Sequence, residues 1–256
     1  MRAIAALLAI LPAPAVAHEF WISPTDYTPA AGEATSADIR VGEEFRGIAH
    51  AYFPRAIARF EVISDGAAAP VEGRIGDRPA MGATALPEGL AVIVHETADS
   101  RLTYDEVAKF ARFAAHKGFP EVAAGAEMPV TELYRRYAKA LIGVGNAEGA
   151  DAPAGLYAEL TALTNPYVDD LSDGFSVRLT EDGAPVPDYQ VEVFALPPGA
   201  RSAEIATVRT DADGVATFPV APGTEYMVDS VLMRPVPGAE ADWKSHWANL
   251  TFRTPG

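Results

Sequence analysis

Short apolar stretches separated by turn residues recur along most of the chain, and this rhythm restricts it to a mainly β fold. Such stretches occupy residues 37–41, 58–63 and 89–97, which is the pattern of an all-β region. The stretch 90–94 is apolar at every position and predicts a central strand buried on both faces. Because the chain contains no cysteine, disulfides and thiolate metal sites are excluded, and the fold must be held by burial.

The spacing of apolar residues changes from that of strands to that of helices over residues 103–142, where the sequence predicts an inserted pair of α-helices. Thr103 and Glu106 have the spacing of a capping box, apolar residues follow at helical spacing, and Gly118 is a typical helix end. The apolar spacing over residues 131–141 predicts the second helix.

A boundary between two domains is predicted at Asn165-Pro166 and the acid pair Asp169-Asp170. The first domain, residues 18–168, is expected to be a β-rich sandwich that carries the helical insertion. The second, residues 169–256, has short predicted strands with turns every ~8–12 residues, which indicates a small β-sandwich. The predicted fold class is therefore mainly β, with two sandwich-like domains.

Residues 1–17 have the organisation of a secretory signal peptide. Arg2 provides the charged start, and residues 3–12 form the apolar run. Ala15-Val16-Ala17 has the small residues of a signal-peptidase cleavage site. Cleavage after Ala17 is expected to deliver the protein to the bacterial periplasm. No later apolar stretch approaches the ~20 residues of a membrane span, so we expect it to be soluble there. The net charge of −15 argues against nucleic acid and anionic membranes as partners.

Cleavage at this point would make His18 the first residue of the exported protein, which is the main functional prediction. An α-amine and an imidazole on one residue can chelate a metal ion, because both give up their protons at little cost near neutral pH. These nitrogens suit a transition metal such as Ni, Co or Cu better than Ca or Mg. The chelate needs a further ligand from elsewhere in the chain.

Two other histidines are the main candidates for the remaining ligands. His95 follows the predicted central strand, so its side chain would emerge at the rim of a rigid element. His116 closes the first predicted helix, where a cation also complements the helix dipole. The predicted metal ligands are therefore His18, His95 and His116. Nearby carboxylates that could bind the metal or orient a histidine are Glu19, Glu96 and Asp99. Two weaker histidine candidates are His50 and His246.

A set of short motifs is spread over nearly the whole chain after residue 17. They include the start His18-Glu19-Phe20-Trp21-Ile22, the blocks 94–97 and 102–104, His116-Lys117, Asn165-Pro166-Tyr167 and Trp247-Ala248-Asn249. Together they resemble a bacterial domain-of-unknown-function family described as the periplasmic component of ABC-type cobalt or nickel transport systems. The resemblance implies a protein that works with a membrane transporter or receptor in metal uptake. Residues 183–218 also resemble the carboxypeptidase-regulatory or transthyretin-type sandwich, an immunoglobulin-like module that usually acts as a strut or contact surface.

Three functions remain open from the sequence. The first is a periplasmic Ni, Co or Cu binding protein that is not an enzyme. The second is a copper-dependent oxidative enzyme, since a first-residue histidine with a second histidine also holds copper in oxidative polysaccharide-cleaving enzymes. The third is a structural or interaction module of a transporter that binds no metal. The chain contains no G-x-S-x-G, H-E-x-x-H, P-loop or G-x-G-x-x-G motif, which favours the first function.

Overall fold

The computed structural model describes residues 18–123, 126–237 and 240–256, so the predicted signal peptide, residues 1–17, lies outside the described residues. The protein is mainly β, with 51% strand and 7% helix. Its α-helix is α1 (Val107–His116), and short 3-10 turns occur at Pro54–Ala56 and Pro120–Ala123. The strands are β1 (Glu19–Pro24), β2 (Ala34–Glu43), β3 (Arg46–His50), β4 (Ile57–Ser64), β5 (Ala67–Pro70), β6 (Met81–Ala85), β7 (Gly89–Thr97), β8 (Ser100–Tyr104), β9 (Val130–Val144), β10 (Ala158–Ala162), β11 (Phe175–Glu181), β12 (Ala184–Pro185), β13 (Gln190–Leu196), β14 (Glu204–Arg209), β15 (Val215–Phe218), β16 (Glu225–Pro235) and β17 (Trp243–Arg253).

Three sheets are formed by the described strands. The large sheet has nine strands in the order β14-β13-β16-β17-β9-β7-β4-β5, with β8 paired to the start of β9. Its neighbours are antiparallel except β17 and β9, which run parallel. Each small sheet has four strands: β1-β2-β3 with β6 beside β2, and β10-β11-β12 with β15 beside β11.

The two small sheets cover opposite faces of the large one. In β7, Val92 and Val94 belong to a core shared with β10 and β11, whereas Ala91 and Ile93 belong to a core shared with β1 and β2. Successive side chains of a strand point to opposite faces, so β7 is buried on both sides. The prediction of a central, doubly buried strand over residues 90–94 is confirmed.

The second predicted helix is wrong, because residues 131–141 lie in the long strand β9. This strand pairs with β7 on one side and β17 on the other, and residues 137–144 are all buried. The strand buries Glu132 and Lys139 with hydrogen-bond partners. These polar positions left the apolar residues of the segment at helical spacing, so the pattern favoured a helix over a strand. The predicted insertion therefore contributes a single α-helix within the described residues.

The first predicted helix is confirmed as α1, but it does not begin at the predicted capping box. Thr103 lies in β8, where it pairs with Thr131 of β9. The residue before the helix is Glu106, and its side chain makes no capping bond. At the other end the chain turns at Gly118, whose φ of 91° favours glycine.

Strands from both sides of residue 168 join in the large sheet, so the predicted division into two domains is not confirmed. The contact is extensive, since β17 pairs with β9 from Trp243 to Thr251. One apolar core also contains residues from both parts, among them Leu141 and Phe252. No helix of the described residues is long and apolar enough to cross a membrane.

Candidate functional site

A row of polar side chains crosses the middle of the large sheet. Glu192 of β13 pairs with Asp229 of β16, which pairs with Asn249 of β17. The row continues through Ala138 of β9 to His95 of β7. Paired residues of neighbouring strands share a face of the sheet, and all five residues are buried. Polar side chains of four strands are therefore brought into one row inside the sheet.

The first strand, β1, lies across this row. Thr251 of β17 donates a hydrogen bond from Oγ1 to the carbonyl oxygen of Ile22, at 2.7 Å. The Phe20 ring lies 5.1 Å from the His95 ring, centroid to centroid. Glu19 points the other way, towards the end of α1. Phe20 of β1 is thus packed directly against His95 of the polar row.

The end of α1 brings a lysine into the same cluster. Phe113 of α1 stacks on Trp247, with centroids 5.9 Å apart, and this packing holds the helix end against the sheet. The Lys117 ammonium is buried, with Nζ 3.2 Å from Glu19 Oε1, 2.5 Å from Glu192 Oε2 and 3.4 Å from Asp229 Oδ2. A buried charge requires such partners.

The charges of this cluster do not balance, because three carboxylates face one ammonium. Burial lowers the pKa of Lys117, but the charges of Asp229, Glu192 and Glu19 outweigh it, so the pKa is raised and the lysine stays charged. Burial raises the pKa of Asp229 to about 7, since the attraction of Lys117 only partly offsets it and the two other carboxylates add to it. The cluster therefore retains negative charge beyond that neutralised by Lys117.

His116 lies at the open side of the cluster. Its Nε2 is 3.0 Å from Glu192 Oε1, while 61% of its side chain is exposed. The Gln190 side-chain amide donates a 2.7 Å hydrogen bond to the carbonyl oxygen of His116, which fixes the helix end. Glu19, His116 and Glu192 each offer one ligand atom, and these three atoms lie within 4.8 Å of one another.

The contact between His116 and Glu192 should be visible in the titration of the histidine. The hydrogen bond to Glu192 raises the pKa of His116, against an opposing effect of burial. The pair therefore stabilises the fold below the unfolded pKa of ~6.5 and loses this contribution as the pH rises through the folded pKa. NMR titration should give a pKa above 6.5 for His116 and a lower one in the Glu192→Gln variant. His50 serves as the internal control, and an unchanged His116 pKa in the variant would contradict the contact.

The other two predicted ligands occupy different surroundings. His18 is partly exposed; its carbonyl oxygen accepts a 3.2 Å hydrogen bond from Arg136, and its Nδ1 lies 4.0 Å from Glu43 Oε1. It lines a cleft of about 590 Å³. His95 is buried between Phe20 and Phe60, and neither ring nitrogen has a hydrogen-bond partner in the described part of the chain. Burial lowers the pKa of His95 to about 3, so its imidazole is neutral.

The remaining candidates named from the sequence lie outside the three-ligand group. Glu96 and Asp99 both pair with Arg135. His246 shares a 3.0 Å hydrogen bond between its Nδ1 and the Tyr137 hydroxyl, and burial lowers its pKa to about 4. His50 lies at the exposed end of β3. Of the histidines predicted as ligands, only His116 belongs to the group of three ligand atoms found among the described residues.

Sequence reasoning missed four charged residues of this region, namely Lys117, Glu192, Asp229 and Arg136. A usable signal was present for two of them. Glu192 and Asp229 are single acids inside the strand segments V-E-V-F and M-V-D-S-V. An acid at the centre of an apolar strand is buried only when it is paired, so each position indicated a partner elsewhere in the chain.

Comparisons with known proteins place the chain in a family. No curated protein matches the chain. Among solved structures, the tetra-tandem repeat in the extending region of a large adhesion protein matches at 12% identity and a TM-score of 0.22. The alignment covers 92% of this chain and 49% of that one, so the chain spans about half the length of that structure. The family model described as "Domain of unknown function (DUF4198)" matches residues 15–234, and the chain therefore belongs to this family.

Proposed function

We propose that the exported protein binds one transition-metal ion, Ni, Co or Cu, at the cluster beside His18. The observation that carries the proposal is the group of Glu19, His116 and Glu192, whose ligand atoms lie within 4.8 Å of one another. Glu19 adjoins His18 in the chain, so the amine of a processed His18 would lie one residue from this group. The His18 imidazole lies 4.0 Å from Glu43 Oε1 and would have to turn towards the group to bind the ion. His18 and His116 would be the nitrogen ligands, and Glu19 and Glu192 the oxygen ligands.

The donor set fits such an ion. One oxygen of Glu19, Oε2, is buried and has no hydrogen-bond partner in the described residues, while its other oxygen contacts Lys117. Unpaired buried carboxylate oxygens are costly, and a cation would relieve that cost. Imidazole nitrogen together with carboxylate oxygen suits first-row transition metals, whereas Ca and Mg prefer oxygen ligands alone. The excess negative charge around Lys117 favours a divalent cation for the same reason.

His95 remains a predicted ligand in this proposal. It belongs to the same polar row, and its unpartnered ring nitrogens are what a buried ligand histidine would present before a metal binds. The Phe20 and Phe60 rings pack against it at centroid distances of 5.1 and 5.0 Å. We therefore assign the first contacts to the exposed His116 and expect His95 to take part only if β1 shifts.

The proposed role is that of a periplasmic binding protein that supports metal uptake rather than an enzyme. Two features of the sequence support it: the signal-peptide pattern of residues 1–17, and the resemblance of its short motifs, which implies a part in cobalt or nickel transport. The partner would be a membrane transporter or receptor component. The transthyretin-like part, residues 169–256, would serve as a contact surface for that partner.

Metal titration of processed protein that begins at His18 tests the proposal. A methionine added before His18 removes the chelating amine, and His116→Ala removes an imidazole. We expect each change to weaken nickel binding by about tenfold or more, which corresponds to about 1.4 kcal/mol. Glu106→Gln, at the opposite end of α1, is the matched control and should bind as tightly as the unchanged protein. Equal affinity in all four proteins would rule out the site.

A further inference from the structure

A lysine of the central strand β9 is buried against two acids, on the face of the large sheet opposite the proposed metal site. Lys139 Nζ lies 2.8 Å from Asp151 Oδ2 and 3.0 Å from Glu159 Oε1, and each of the three side chains is at most 2% exposed. The cross-strand neighbours of Lys139, Val94 and Leu250, belong to the apolar core shared with β10 and β11. The amine and the two carboxyl groups therefore meet where water is excluded.

The surroundings of the Asp151 carboxyl group differ at its two oxygens. Oδ2, which faces Lys139, accepts a 2.8 Å hydrogen bond from the backbone amide of Ala162. Oδ1 is buried and has no hydrogen-bond partner in the described part of the chain. Burial also raises the pKa of Asp151, although the charge of Lys139 opposes this effect. The amide at Oδ2 is placed to stabilise an oxyanion when an amine adds to the carboxyl carbon, and the unpaired Oδ1 can then depart.

Glu159 occupies the position of a proton carrier. Its carboxylate accepts hydrogen bonds from the backbone amides of residues 154–156, which fix it in place. Its Oε1 faces the Lys139 ammonium. A carboxylate held in this way can take a proton from an attacking amine and return it to a leaving oxygen.

We infer that Lys139 and Asp151 react to form an intramolecular amide bond, and that their ion pair is the state before this reaction. The bond between Lys139 Nζ and Asp151 Cγ forms, and the bond between Cγ and Oδ1 breaks. Of the three ammonium protons, one stays on the amide nitrogen, and Glu159 transfers the other two to Oδ1, which leaves as water. The reaction requires no oxidant and no further reactant.

Two physical effects favour this reaction. An amine and a carboxyl group held in contact react as if each were present at a very high concentration. The amide also replaces two buried charges by a neutral group, and so removes a desolvation cost that the ion pair only partly offsets. The bond would join residues twelve positions apart and tie β9 to the loop before β10. It does not depend on the proposed metal site.

Mass spectrometry of the unfolded protein tests the inference. The unchanged protein should be lighter than the mass of its chain by one water molecule. Trypsin should fail to cut after Lys139, because an amide-bonded lysine carries no charge, and should release residues 137–178 as one peptide that lacks one water. Without the bond, cleavage after Lys139 gives residues 140–178, since no lysine or arginine lies between positions 139 and 178.

Lys139→Arg and Glu159→Gln should both have the full mass. The first keeps the positive charge, but its guanidinium does not give up a proton to attack a carboxyl group; the second removes the proton carrier. Lys109→Arg is the matched control, because Lys109 is partly exposed on α1, and it should keep the mass deficit. Thermal unfolding checks that each variant is folded.

A full mass for the unchanged protein would overturn the inference, whether or not the variants fold. A water loss that persists in Lys139→Arg would overturn it as well, because an aspartate followed by glycine, such as Asp173, can also lose water by forming a ring with the backbone. A deficit that persists in folded Glu159→Gln would overturn the role of Glu159 as the proton carrier.

Discussion

Replacing Lys117 by methionine should lower the free energy of unfolding by about 3–5 kcal/mol, the usual cost of removing one partner of a buried ion pair. Methionine keeps most of the volume but removes the ammonium that faces Glu19, Glu192 and Asp229. The three buried carboxylates would then repel one another or take up protons. The loss should therefore be smaller at low pH, where the carboxylates are neutral.

Urea unfolding of the two proteins at pH 7 and pH 5 measures this effect. Lys109→Met on the same helix is the matched control, because Lys109 is partly exposed and, among the described residues, forms an ion pair with Glu106 alone, three residues earlier. Such exposed pairs contribute about 0.5 kcal/mol or less. A loss of under about 1 kcal/mol for Lys117→Met would show that the ammonium does not hold this cluster together.

An effect of similar size is expected for Lys139→Met, in a second buried cluster on the other face of the sheet. Lys139 Nζ lies 2.8 Å from Asp151 Oδ2 and 3.0 Å from Glu159 Oε1. The Glu159 carboxylate in turn accepts hydrogen bonds from the backbone amides of residues 154–156. Since this cluster fixes the loop between β9 and β10, we expect a loss of about 3–5 kcal/mol.

Hydrogen exchange separates this local role from a general loss of stability. In Lys139→Met the amides of residues 154–156 should lose protection before those of β17 do, because their acceptor is no longer held in place. Lys244→Met is the control, since Lys244 is partly exposed and lies 3.9 Å from Asp99. If the loop and β17 lose protection together, the cluster does not act on the loop.

The sequence predicted the class of the fold better than its connections. Alternation and apolar runs depend on which faces are covered, so the buried strand over residues 90–94 and the helix α1 could be found. The same reasoning failed for β9, because buried charged residues such as Glu132 and Lys139 interrupt its apolar residues, so that neither alternation nor a continuous apolar run marks the strand. The parallel pairing of β9 with β17 links residues more than a hundred positions apart, and nothing local in the sequence specifies it.

The candidate site was predicted in part for a related reason. His116 was found because histidine is a common metal ligand. Glu192 and Asp229 were missed because they become neighbours only where β13 and β16 pair in the folded sheet. The metal site itself stays a prediction, and the structure contributes the neighbours that such an ion would have.

The place of β17 in the large sheet has a consequence for the order of assembly. This strand, Trp243–Arg253, lies between β16 and β9. It supplies Asn249 to the polar row, and its Trp247 ring contacts the side chains of Lys117 and Arg136. Until these residues leave the ribosome, the sheet has a gap at its centre, and β1 lacks the strand against which Ile22 is hydrogen-bonded. Long-range pairing of this kind slows folding, so the proposed metal site could form only after almost the whole chain has been made.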